Sequence, residues 1–206
     1  MSEIDTKEYL GPLPPPPPKP PKKTIQVPVI LGKGEKQHLV VKESKISPPS
    51  PPIFRIKDVD KYVVITQAKL VPSVNYDGCY DDKDYDQKWW LNKVIINGYV
   101  DKNVNYKTIT DFTCEDVNGP VYHFTTRAYF STFVEIKTKE KVKDCDKVEI
   151  LSAVVEGEKE DLLDPNPPCK GAPDWAVTYN KLLEKILVKI SAKIIRIEEV
   201  KVQPEY

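Results

Sequence analysis

The sequence predicts an all-β protein: an antiparallel β-sandwich behind an extended proline-rich N-terminal arm. Two observations carry the sandwich. Residues 90–106 and 121–136 each alternate apolar and polar side chains with period two, which places successive residues on opposite faces of a strand. Residues 182–202 are dense in β-branched side chains, which favour strands. A third observation carries the arm: thirteen of the twenty prolines precede Ile53, so the composition divides the chain into an arm, 1–52, and a domain, 53–206.

In the arm, Pro14 to Pro18 followed by Lys19-Pro20-Pro21-Lys22-Lys23 favours polyproline II, which rises about 3.1 Å per residue without internal hydrogen bonds. It reads as a stiff spacer, with a ligand for an aromatic-lined groove as the alternative. Ile25, Val27, Val29 and Leu31 then alternate as a strand does, and Pro28 restricts that strand to a sheet edge. It is a candidate assembly strand, able to add to a sheet of its own chain or of a neighbour. Leu39-Val40-Val41 reads as a short return strand, and Pro48-Pro49-Ser50-Pro51-Pro52 breaks the chain before the domain.

The domain opens with a strand over Tyr62 to Leu70, in which Val63 to Ile65 read as buried on both sides. In the loop that follows, Asp81-Asp82-Lys83-Asp84-Tyr85-Asp86 looks like a calcium loop, but Gln87 stands where glycine is required and Lys93 where glutamate is. A solvated acidic loop is expected instead. The next stretch places Trp90, Val94, Ile96, Val100, Val104 and Tyr106 on one face, interrupted by Asn92, Gly98 and Lys102. Asp101-Lys102-Asn103 reads equally as a hairpin loop or as part of one long bent strand.

A second core strand follows, with Tyr122, Phe124, Ala128, Phe130, Val134 and Ile136 on one face, paired to the first through a turn at Asp116 to Pro120. Val148 to Val155 predicts a further strand, Asp161 to Asp174 a long loop, and Trp175 to Leu183 a short helix leading into the last strand. The predicted core includes Val94, Ile96, Val100, Tyr106, Phe124, Ala128, Phe130, Ile190 and Ile194.

Lysine plus arginine equals aspartate plus glutamate at 31 each, which leaves no field to hold nucleic acid, and no apolar run approaches a membrane span. The N-terminus has neither the basic nor the apolar region of an export signal, so synthesis in the cytoplasm is expected. Only two histidines exist, His38 and His123, and no Gly-x-Ser-x-Gly nucleophile motif accompanies them. No catalytic residue, metal site or cofactor is predicted, and the protein is not expected to be an enzyme. Cys79, Cys114, Cys145 and Cys169 form no Cys-x-x-Cys pair, and three of them lie in loop-like sequence, which suggests disulfides within or between subunits. Trp89 and Trp90 point to opposite faces of a strand; one suits the core, the other a sugar, a subunit interface or solvent.

The run Lys93-Val94-Ile95-Ile96-Asn97-Gly98-Tyr99-Val100-Asp101-Lys102-Asn103-Val104-Asn105-Tyr106 resembles the SPOCS domain. Val63-Val64-Ile65-Thr66-Gln67-Ala68 before it, and His123-Phe124 and Phe130-Ser131-Thr132-Phe133-Val134-Glu135-Ile136 after it, extend the resemblance. That domain occurs in spore coat and exosporium proteins of spore-forming Firmicutes, clostridia in particular. The resemblance implies a structural, self-assembling protein made in the mother-cell cytoplasm and deposited on the spore surface, as coat, exosporium or spore appendage. Its implied partners are further copies of itself and other coat or exosporium proteins. Lysis of the mother cell would then supply the oxidising surroundings that disulfides need. The alternative function is a glycan- or peptidoglycan-binding module using Trp89 or Trp90.

Overall fold

A computed structural model describes residues 23–71 and 89–202. The polyproline run, the acidic loop and Cys79 lie outside these residues. All named elements are strands: β1 (Lys23–Lys45), β2 (Arg55–Val71), β3 (Trp90–Lys107), β4 (Asp111–Phe112), β5 (Val117–Asn118), β6 (Val121–Thr138), β7 (Lys147–Asn166) and β8 (Thr178–Val202). Among the described residues no helix is long and apolar enough to cross a membrane. The chain forms two units: Pro28–Ile197 holds the sandwich, and the second contains the first residues of β1 and the last of β8.

The sandwich has two three-stranded sheets, ordered β1-β8-β7 and β2-β3-β6, so β8 and β3 are the central strands. In the second sheet β3 pairs antiparallel with β2 (Val63 opposite Val100) and with β6 (Val100 opposite Ala128). In the first, β7 pairs antiparallel with β8 (Val155 opposite Val188). Glu43 bridges to Lys181 at 3.1 Å and Glu35 to Lys189 at 3.5 Å, so β1 also runs antiparallel to β8. Asp101-Lys102-Asn103 is therefore part of one continuous strand, and β4 with β5 forms a small hairpin between β3 and β6.

The inward side chains keep one parity along β3, β6 and β8, two central strands and one edge strand. Along β3 and β8 the even-numbered side chains face inward, and Val94, Ile96, Val100, Val188, Ile190 and Ile194 meet in one apolar cluster that Phe130, Val134 and Ile136 of β6 complete. A second cluster gathers Ile46, Ile53, Val104, Tyr106 and Leu182. Of the predicted core residues all are buried except Phe124, which is half-buried with its ring centroid 5.9 Å from that of Tyr106.

Three expectations are corrected. Residues 161–166 extend β7 rather than opening a loop, and residues 178–183 begin β8 rather than ending a helix. β1 is longer than the two short strands expected and is a full member of the first sheet, although it lies within the predicted arm. β7 was foreseen only from Val148 to Val155, because its register shifts at Ile150/Ser152 and again at Val155/Gly157. Each shift changes the inward parity: Val148 and Ile150, then Ala153 and Val155, then Glu158, Glu160 and Leu162. The same device at Ile65/Gln67 in β2 turns Val63 and Ile65, then Ala68 and Leu70, toward the core.

The sheets meet along both long seams. β2 lies beside β7, and β1 runs antiparallel along β6. At the latter seam Gly32 and Gly34 face Lys137 and Glu135, the Lys36 ammonium sits 3.9 Å from the Phe133 ring centre, and the His38 ring is 5.9 Å from that of Phe130.

Candidate functional site

Where the two apolar clusters adjoin, the core is charged. Lys102 on β3 and Glu184 on β8 both occupy inward positions and are fully buried. The ladders sharpen the anomaly: Lys61 stands directly opposite Lys102 on β2 and β3, and Glu160 directly opposite Glu184 on β7 and β8. Like charges facing each other within a sheet repel. Each repulsion is relieved only by the other sheet, which presents lysines to glutamates.

Lys102 Nζ lies 2.6 Å from Glu184 Oε1, 3.2 Å from Glu158 Oε2 and 3.4 Å from Glu160 Oε1. Lys61 bridges to Glu158 from the seam side. Despite its closeness to Lys102 Nζ, the Glu184 carboxylate accepts no well-directed hydrogen bond on either oxygen. We read the 2.6 Å contact as an ion pair, since a charge contact needs proximity rather than alignment. None of these five residues is among the sequence-derived candidates, although Lys102 was visible there as an interruption. The signal that exposes them is a pair of opposite charges at core-facing positions of the two central strands.

A second charged site fastens the loop between β6 and β7. Arg196 Nε and Nη2 each donate to the Asp146 carboxylate at 2.9 Å, Nη2 also donates to the Lys141 carbonyl at 3.0 Å, and Nη1 pairs with Glu140. The Arg196 bonds hold the Asp146 carboxyl below its ordinary value of 3.8. A depressed carboxyl binds protons less readily in the folded than in the unfolded chain, so its stabilisation is complete above about pH 4 and is lost as the pH falls through the folded value. Asp146→Asn is accordingly expected to lower stability at pH 7 and to flatten its decline below pH 4, as read by urea unfolding across that range.

The sequence-derived candidates are spread over the molecule. Cys114, Cys145 and Cys169 are exposed free thiols. Cys114 sits in the turn between β4 and β5, and Cys169 lines a cavity with Phe112, Thr110 and Pro52. Both lie at the end of the sandwich where β3 finishes, and Cys145 lies at the opposite end in the loop that Arg196 holds. Trp89 is exposed with Lys139 over its ring at 5.7 Å, while Trp90 is half-buried with Lys141 over its ring at 5.9 Å. Ile25, Val27, Val29 and Leu31 belong to β1, which pairs with β8 of the same chain. His38 lies on β1 against Phe130, and His123 on β6 opposite Asn105. Burial, with the Lys36 charge behind it, lowers the His38 pKa below 6.5.

A family model described as SipL, SPOCS domain, matches residues 52–156, from the approach to β2 through the first half of β7. No curated protein and no solved structure matches the chain. The match contains Lys61 and Lys102 and stops before Glu158, Glu160 and Glu184.

Proposed function

The chain belongs to the SPOCS-domain family, and from that premise we propose that it is a structural, non-catalytic protein of the outer spore layers that assembles with copies of itself. The observation that carries this is the SPOCS match over residues 52–156. It is made in the mother-cell cytoplasm and deposited on the spore as coat, exosporium or appendage, where other coat and exosporium proteins are its partners.

Two features support assembly. Exposed thiols stand at both ends of the sandwich, so disulfides formed once the surroundings turn oxidising link one copy to the next. β1, whose early residues include Ile25 to Leu31, makes the same backbone bonds to β8 whether the two belong to one chain or to neighbours, and exchange between copies is a low-cost route to polymers. Electron microscopy of the purified protein tests this. Fibres or sheets that dithiothreitol loosens, and that fail to consolidate when Cys114, Cys145 and Cys169 are all changed to serine, are expected. A monomer with free thiols under oxidising conditions overturns it, and retention on purified peptidoglycan, abolished by Trp89→Ala, would favour the glycan-binding function instead.

A further inference from the structure

We propose that Lys102 and Glu184 condense into an internal amide, a covalent staple joining the two sheets of the sandwich. Both side chains are fully enclosed, with Lys102 Nζ 2.6 Å from Glu184 Oε1. They project from the central strands, β3 and β8, so the bond ties the middle of one sheet to the middle of the other. The acidic partners lie beyond the stretch that the family model matches.

The environment favours condensation for three reasons. A buried carboxylate that accepts no well-directed hydrogen bond is costly, and the amide removes that charge together with the buried ammonium. Fixing the reactants in contact replaces a bimolecular encounter, an advantage worth effective molarities of about 10⁵ M or more where geometry is favourable. Apolar walls on both sides, Val100 and Val104 on β3 and Leu182 and Ile186 on β8, keep out the water that would reverse the reaction.

Proton acceptors are also in place. Glu158 Oε2 lies 3.2 Å and Glu160 Oε1 3.4 Å from Nζ, and both side chains keep partial access to solvent at 15% and 20% exposure. Glu158 takes a proton from the ammonium, and the freed lone pair on Nζ attacks Glu184 Cδ to form the C–N bond. The tetrahedral adduct then breaks a C–O bond, whose electron pair leaves with the oxygen. Nitrogen gives up its second proton, and the departing oxygen takes this proton together with the one Glu158 had accepted and leaves as water, which returns Glu158 to its carboxylate. An ammonium and a carboxylate become one secondary amide and one water, with nothing oxidised or reduced.

Intact-mass spectrometry of the full chain tests the bond. Folded protein, denatured just before measurement, is expected to weigh less than its sequence by one water, and proteolysis is expected to give a branched peptide joining the segments around Lys102 and Glu184. Chain kept in denaturant from the moment of synthesis retains full mass. Lys102→Met and Glu184→Leu each restore full mass, and Glu158→Gln slows the loss. Full mass in wild-type protein whose circular dichroism shows the β-fold overturns the proposal, as does a water loss that maps to any other pair.

Discussion

Lys102→Ala is expected to destabilise the protein by about 3–5 kcal/mol, the cost of removing one member of a buried ion pair and leaving the other uncompensated. Without Lys102 the fully buried Glu184 keeps no ion-pair partner among the described residues, and Glu160 remains directly opposite it on β7. Lys61 still pairs with Glu158 but sits on the far side of the seam. The charge imbalance, rather than the missing methylenes, is the source of the loss. Lys102→Met combined with Glu184→Leu is expected to recover most of it, because exchanging both charges for apolar groups removes the desolvation cost as well as the attraction. Denaturant unfolding of both single variants and the double checks this; a Lys102→Ala loss below about 1 kcal/mol, typical of exposed pairs, would place the cluster in effective contact with water. An amide at this site adds to the single-variant loss and leaves its direction unchanged.

Gly34→Val is the second large effect. A Cβ at position 34 would stand 2.3 Å from the Glu135 carbonyl oxygen and 2.9 Å from the Ile136 side chain. The nearest obstacle is backbone, which cannot rotate away, so β1 must lift from β6 or the seam must open. Overpacking costs about 1–3 kcal/mol, and valine, with two further methyls, is expected at or above the upper end. Gly32 meets the Lys137 carbonyl in the same way at 2.3 Å, so Gly32→Ala is expected to act in the same direction. Gly157→Ala is the control: nothing lies within 4 Å of its Cβ, and a change within about 0.5 kcal/mol is expected. Hydrogen exchange locates the damage, with protection lost first along β1 and the facing part of β6 in the Gly34 variant. Unaltered exchange and unaltered stability would show that the seam is looser than the distances require.

Inward alternation was legible wherever it ran unbroken. Val94, Ile96, Val100 and Tyr106 on β3, and Ile190 and Ile194 on β8, were assignable to the core because a central strand of regular register keeps one parity from end to end. β7 was legible only to Val155, since the shift at Val155/Gly157 changes the parity and turns Glu158 and Glu160 inward. A charged residue on the new parity looks like a solvated loop until the bulge is known. Residues 178–183 suffered differently: they were expected to end a short helix, and only the pairing of Leu182 with Leu162 and of Leu183 with Asp161 across the β7–β8 ladder makes them strand.

The sequence by itself determined the fold class, the two antiparallel core strands β3 and β6 and most of the core, because each follows from period and residue type within one stretch of chain, and its residue blocks at 63–68, 93–106 and 123–136 carried the SPOCS resemblance. It could not assemble the charged cluster. Lys61, Lys102, Glu158, Glu160 and Glu184 come from four strands, and the separations that matter are set by which strand is the neighbour of which and by how one sheet lies over the other. A lone charge at an inward position is, in the sequence, merely a break in alternation; tertiary structure decided that two such breaks meet, because only the packing of β3 against β8 puts a buried ammonium next to a buried carboxylate.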